Sequence, residues 1–362
     1  MAPAATASAR RTRCPGRHRT ETRQSVGSRD PASRGRRLHR PDRTGTTHMI
    51  SRRALVATLS TLGTAAAIRP AASAAAKVLR VGFQKGEAIE MAAKQNRGLE
   101  QRLNPLGVQV EWAEFQYGPP MLEAMRVGSI DIGGVGDTPP IFAQVARANL
   151  LYVAALPQGA SAILVPPGSK LETLKDLSGK RIAFARGSSA HNLTVVALEK
   201  AGIPYSDIQP VYLAPADAAA AFERGNIDAW TIWDPYYAIY ETRPRVRVLA
   251  KSSDITQLFS YFMARQAFVE TNPAIIATAV KELGRIGAWA EAHRPEVATL
   301  VSAATGVPEA ALLRSLQRNP LKVLPVTEEN ARSQQAEADR FYKLGIIPTA
   351  IDVRKEIWRA SA

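Results

Sequence analysis

One internal echo limits what this chain can fold into. The run AMRVGSIDIGGVGDTPP, ending at Pro140, returns in outline as AFERGNIDAWTIWDPYY, ending at Tyr237. Each copy reads as a helix, a Gly, an Ile-Asp pair opening a strand, then Asp and Pro where the next helix should begin. Gly128, Ile130 and Asp131 precede Gly225, Ile227 and Asp228 by 97 residues. That spacing is far longer than a solenoid repeat and predicts two lobes of similar plan. Gly after a helix suits a left-handed cap and Asp before a strand suits a turn, so these residues read as structural. Ligand is expected at the opposite strand ends, because open parallel sheets bind beyond their carboxyl edges.

The rest of the pattern agrees. Strand-like runs at Leu79–Phe83, Val108–Phe115, Ile130–Val135, Leu150–Ala155, Arg181–Ala185 and Ile227–Trp233 alternate with helical ones at Glu87–Leu103, Met121–Val127, Leu193–Ala201 and Ala216–Arg224. That alternation implies an α/β fold with mostly parallel sheets flanked by helices. Beyond about residue 266 the pattern turns helical, with three-to-four spacing of apolar residues in Ala274–Ala290, Pro308–Leu316 and Asn330–Leu344.

The formal charge of +15 points toward nucleic acid only until it is located. Residues 1–76 hold 15 Lys and Arg against 3 Asp and Glu, which leaves the remainder with 32 and 29, a net +3. No nucleic-acid partner is therefore expected. Residues 1–48 are too polar to bury a core and are expected to be disordered or to reflect a start codon placed upstream of Met49. From Met49, paired Arg52 and Arg53, an uncharged stretch to Ile68 and small residues up to Ala76 form an expected export signal over 49–76. Ser51-Arg52-Arg53 resembles a twin-arginine signal, and general secretion is the alternative. The single cysteine, Cys14, lies ahead of that signal, so neither a disulfide nor a lipid anchor is expected. The product should be free in the periplasm. Only His191 and His293 remain after residue 76, and without Cys they suggest no metal site. No cofactor is expected.

Four strand-to-helix junctions carry chemistry: Gln84-Lys85-Gly86, Gly136-Asp137-Thr138-Pro139-Pro140, Gly187-Ser188-Ser189-Ala190-His191 and Trp230–Tyr236. Asp or Thr can cap a helix, and Pro is tolerated in a first turn. A helix start offers free N–H groups and a partial positive charge to an anion. Plain capping explains each motif alone; two hydroxyl-bearing starts in two lobes favour anion binding. An anion held by neutral donors should stay ionised unaided, as a sulfonate does. Lys85 and Arg186 could add charge, or simply face solvent. Trp230, Trp233, Tyr236 and Tyr237 are core or cleft residues; Trp233, nearer the strand end, is preferred for stacking on an organic tail. Asp234 is expected to cap the next helix.

LRVGFQKG (79–86), EWAEFQYGPPMLEAMRVGSIDIGGVGDTPPIFAQ (111–144), AILVPPGS (162–169), LKDLSGKRIAFARGSSAHNLTVVALEKAG (174–202), VYLAPADAAAAFERGNIDAWTIWDPYYA (211–238) and FYKLGIIP (341–348) resemble, in order, the aliphatic-sulfonate-binding proteins of bacterial ABC importers. The resemblance implies a two-lobed type II periplasmic-binding fold (a Venus flytrap) with a helical C-terminal segment. Lobe 1 would comprise 77–162 and 260–362, and lobe 2 would comprise 163–259. It implies a monomeric receptor that hands a small organic sulfonate to the permease membrane subunits. By resemblance the ligand contacts are Gln84, Gly118, Pro119, Asp137, Thr138, Gly187, Ser188, Ser189, His191 and Trp233. Two places depart from the family pattern: Ser161 stands where an acidic residue is usual, and the run Tyr261–Ala264 differs in detail.

Taurine, nitrate and thiamine-precursor receptors of the same superfamily are the alternatives. An enzyme using Ser188 or Ser189 with His191 as base belongs to a different class. No GxSxG elbow is present, residues two or three apart on a helix project apart, and an export signal suits a receptor better.

Overall fold

Leu79, Val81 and Phe83 in β1 (Val78–Gln84) are fully buried on one face of the first sheet, where each contributes about 1.5–3 kcal/mol by leaving water. The structure, a computed structural model, describes residues 78–359 apart from Gln158. The basic stretch and export signal expected before residue 77 lie outside the described residues. After β1 come α1 (Ala88–Gln95), α2 (Gly98–Leu103), β2 (Gln109–Phe115), α3 (Gly118–Arg126), β3 (Ile132–Gly136), α4 (Thr138–Val145) and β4 (Leu150–Pro157). The helix expected over 87–103 is two, because Arg97 takes a left-handed φ of 51° and breaks it.

The chain then builds β5 (Ser161–Val165), β6 (Arg181–Phe184), α5 (Ser189–Ala201), β7 (Gln209–Tyr212), α6 (Pro215–Glu223), β8 (Ala229–Trp233), α7 (Tyr236–Glu241) and β9 (Arg247–Lys251). It returns through β10 (Phe259–Arg265) and ends in α8 (Gln266–Thr271), α9 (Pro273–Ala292), α10 (Arg294–Thr305), α11 (Glu309–Arg318) and α12 (Glu328–Lys343).

Two five-stranded sheets result, ordered β2-β1-β3-β10-β4 and β7-β6-β8-β5-β9. In each, four strands run one way and one runs against them: β10 in the first and β5 in the second. Each reversed strand is the first laid down after the chain crosses between sheets. The first crossing falls between Pro157 and Ser161, so Ser161 and Ala162 already belong to the second sheet.

The echo is built into both sheets. Gly128 and Gly225 take left-handed φ values of 82° and 70° after α3 and α6. Asp131, at the entry to β3, accepts from the backbone N–H of Arg80 at 3.0 Å, and Asp228, at the entry to β8, accepts from that of Arg181 at 2.8 Å. Each Asp thereby ties the start of a central strand to the start of its parallel neighbour. Apolar clusters cover both faces of both sheets, with α1, α2, α9, α10 and α11 over one face of the first and α3, α4 and α12 over the other. Among the described residues no helix is long and apolar enough to cross a membrane.

Candidate ligand-binding cleft

The strand ends converge where the topology requires. Gln84, Gly136 and Trp233, the last residues of β1, β3 and β8, line one cavity of about 120 Å³ between the two sheets. That is room for several waters or a small organic ion. The starts of α1, α3 and α5 border it through Ala88, Gly118 and Ser189. First-turn N–H groups have no acceptor within their own helix, so these starts present donors and a partial positive charge. Pro119 and Pro120 remove donors from α3 and leave Gly118 to provide one there.

Several expected contacts hold this wall rather than line it. His191 is fully buried and stacks on Phe184 at 4.9 Å. Burial, with Arg186 nearby, pushes its pKa down to about 3, so the ring is neutral. Its Nδ1 accepts from the N–H of Gly187 at 3.3 Å, and its Nε2 lies 3.0 Å from the Tyr205 hydroxyl. The ring therefore locks the turn that delivers Ser188 and Ser189. Ser188 donates its hydroxyl to Ala185 O at 2.7 Å.

Asp137 and Thr138 are buried between the sheets. Asp137 accepts from the N–H of Thr138 at 2.9 Å, which caps α4, and from Asn192 of α5 at 2.7 Å. Thr138 donates its hydroxyl to Glu337 of α12 at 2.6 Å, and burial together with Asp137 holds the Glu337 carboxyl well above the usual range.

Of the residues singled out in the sequence, Gln84, Gly118, Ser188, Ser189 and Trp233 line the cavity; Pro119, Asp137, Thr138, Gly187 and His191 do not. Gln84 donates its amide to Gly134 O at 2.9 Å, which fixes it in the wall. Trp230 is core, edge-on to Tyr240 at 4.9 Å. Lys85 and Arg186 face solvent.

Three polar groups of the lining were not among the contacts expected from the sequence. Ser161 lines the cavity, is 1% exposed, and its hydroxyl has no hydrogen-bond partner among the described residues. Glu87 and Glu90, at the start of α1, also line it. Burial raises the Glu87 carboxyl to about 7. Burial, and then the neighbouring Glu87, raises Glu90 to about 8 against the pull of the Glu90 and Gly134 N–H groups. Their position just after Gln84-Lys85-Gly86 was the available signal. Asp234 lines the cavity too, but it accepts from Ala238 N at 3.0 Å, capping α7, and is gripped by Arg318 of α11 at 2.6 and 2.8 Å.

A family model described as an ABC transporter, phosphonate, periplasmic substrate-binding protein matches residues 85–284. An aliphatic sulfonates-binding protein of Escherichia coli (strain K12) is 42% identical over 292 residues, 80% of this chain and 91% of that protein. This chain belongs to the periplasmic substrate-binding proteins of ABC transporters. The binding protein is also similar to the alkanesulfonate-binding protein of Xanthomonas axonopodis pv. citri bound to MOPS, at 40% identity and a TM-score of 0.76 over 79% of this chain and all of that one. The periplasmic aliphatic sulphonate binding protein from Escherichia coli gives 40% and 0.73, over 79% of this chain and 94% of that one. The fold and family expected from the sequence are met.

Proposed function

We propose that this binding protein captures alkanesulfonates between its two sheets and delivers them to the membrane subunits of an importer. One observation carries the reading: three helix starts meet in a cavity whose lining, among the described residues, holds no Lys, Arg or His, and Ser161 of that lining keeps a buried hydroxyl with no partner among them. A sulfonate needs no cation to stay ionised, and neutral donors suffice to hold it. A phosphonate, the ligand class in the family model's description, gains a second negative charge near neutrality and calls for cations the lining does not supply. The names of the 40–42% identical relatives support the sulfonate reading.

In this reading the two sheets belong to two lobes that close on the ligand, and the receptor is an exported, unanchored monomer. An enzymatic reading is disfavoured by the engagement of Ser188 and of the base His191. The Ser188 hydroxyl serves Ala185, and both nitrogens of His191 are engaged by Gly187 and Tyr205.

Calorimetric titration with ethanesulfonate, octanesulfonate, benzenesulfonate, taurine, sulfate and nitrate tests the reading. Saturable binding of a sulfonate is expected, weakened about tenfold by Trp233→Ala through lost stacking and burial. Binding of nitrate or sulfate alone would replace the ligand class, and silence with every anion would remove the reading.

A further inference from the structure

The cavity contains acid that the binding of a plain anion does not require. Glu87 and Glu90 both line it, together with Asp234, and among the described residues no basic side chain joins them there. Asp234 is neutralised by Arg318 behind the wall. Among the described residues the two glutamates have no such basic partner. On their own helix Lys94 lies over the Phe83 ring at 4.6 Å. From the helices packed on α1, Arg102 and Arg285 close on Glu282, and Arg294 closes on Glu291. Glu296 of α10 and Lys85 are exposed.

Completing the charge of the α1 dipole does not explain them, because an exposed carboxylate would do so without losing its hydration. Glu90 is 2% exposed, and the backbone makes room for it: a Cβ on Gly134 would collide with its Oε1. Trp233 and Ser161 belong to the same lining, and the buried Ser161 hydroxyl has no partner among the described residues. Carboxylates and an indole together are the chemistry that holds an ammonium group. An unpaired hydroxyl and helix starts are the chemistry that holds a sulfonate.

We propose that Glu87, Glu90 and Trp233 form a subsite for a cationic nitrogen, so that the preferred ligands are zwitterionic sulfonates carrying a substituted ammonium group. The inference rests on the sulfonate-receptor reading and narrows its substrate class. A plain alkanesulfonate entering this cavity must leave both glutamates protonated. A zwitterion supplies their counter-charge and allows the pair to release a proton on binding.

Two isosteric probes separate these cases: 3-(trimethylammonio)propanesulfonate, whose positive charge is permanent, and 4,4-dimethylpentanesulfonate, in which carbon replaces nitrogen. With the full chain near pH 7.5, the first should bind at least tenfold more tightly. Titrations in buffers of different ionisation heat should report proton release for it and proton uptake for the second. The Glu87→Gln/Glu90→Gln double variant should bring the affinity ratio near one, with the loss falling on 3-(trimethylammonio)propanesulfonate. Equal or tighter binding of the carbon isostere by the wild-type protein overturns the cationic subsite and leaves the sulfonate receptor standing. Failure of both probes, with simple alkanesulfonates also silent, overturns both.

Discussion

Two buried titratable residues pull the stability of this protein in opposite directions with pH. His191 is neutral when folded, with its pKa depressed from 6.5 to about 3 by burial. Between those values the unfolded chain binds a proton that the folded chain does not, so stability is lost as pH falls from about 6.5. Glu90 is raised from 4.5 to about 8, again chiefly by burial. There the folded chain holds the proton, so stability is lost as pH rises from about 4.5 toward 8. In urea unfolding without ligand, Glu90→Gln should stabilise the protein at pH 8 by roughly 1–3 kcal/mol, since an amide remains neutral at no cost. His191→Gln should flatten the acid limb of the profile and lower stability overall by loosening the Ser188 turn. An alkaline limb unchanged by Glu90→Gln would mean that the Glu90 carboxyl is hydrated.

At the scale of elements, the two copies of the echo are alike in geometry and unlike in energy. Asp131 is completely buried and meets Arg265 at 2.8 Å and Arg80 at 3.4 Å. The Asp228 side chain remains one third exposed and, among the described residues, pairs with Arg181 alone, at 2.9 Å. Removing one partner from a buried ion pair costs about 3–5 kcal/mol, whereas an exposed pair is worth about 1 kcal/mol or less. Asp131→Ala should therefore lower unfolding stability several times more than Asp228→Ala; equal losses would show that the extra Arg265 contact contributes nothing. The echo was legible because a Gly cap and a strand-opening Asp are local devices written in neighbouring residues. The reversed strands β5 and β10 were not, because their direction is set by where the chain crosses between sheets, which no local pattern records. The same limit explains the site. Gln84, Ser188 and Trp233 stand at strand ends or helix starts that periodicity can find. Asp137 and His191 sit in equally suggestive motifs, but their side chains are claimed by Asn192 and Tyr205, residues of other elements brought close by the fold.

For the whole molecule the question is what holds the two halves together around the cavity. Arg318 of α11 packs with the first sheet's helices but reaches the second sheet's side, contacting Asp234 at 2.6 Å and Glu241 at 2.9 Å with its guanidinium 3.8 Å from the Tyr237 ring centre. Asn319 strengthens the contact, donating to Asp234 at 3.1 Å and accepting from Ala160 N at 2.6 Å. Asp234 and Asn319 both line the cavity, so the latch and the ligand share a wall. In the closing motion proposed above, a ligand favours closure only through contacts it gains in the closed form, and Arg318 would add a ligand-independent contribution of the same sign. Arg318→Ala should therefore enlarge the radius of gyration of the ligand-free protein in solution scattering. Saturating sulfonate should restore compaction, and the apparent affinity should fall about tenfold through faster dissociation. Arg318 lies outside the cavity lining, so lost affinity without a change in ligand-free dimensions would mean that it steadies Asp234 and does not latch the lobes. Unchanged dimensions together with unchanged affinity would assign closure to the ligand alone.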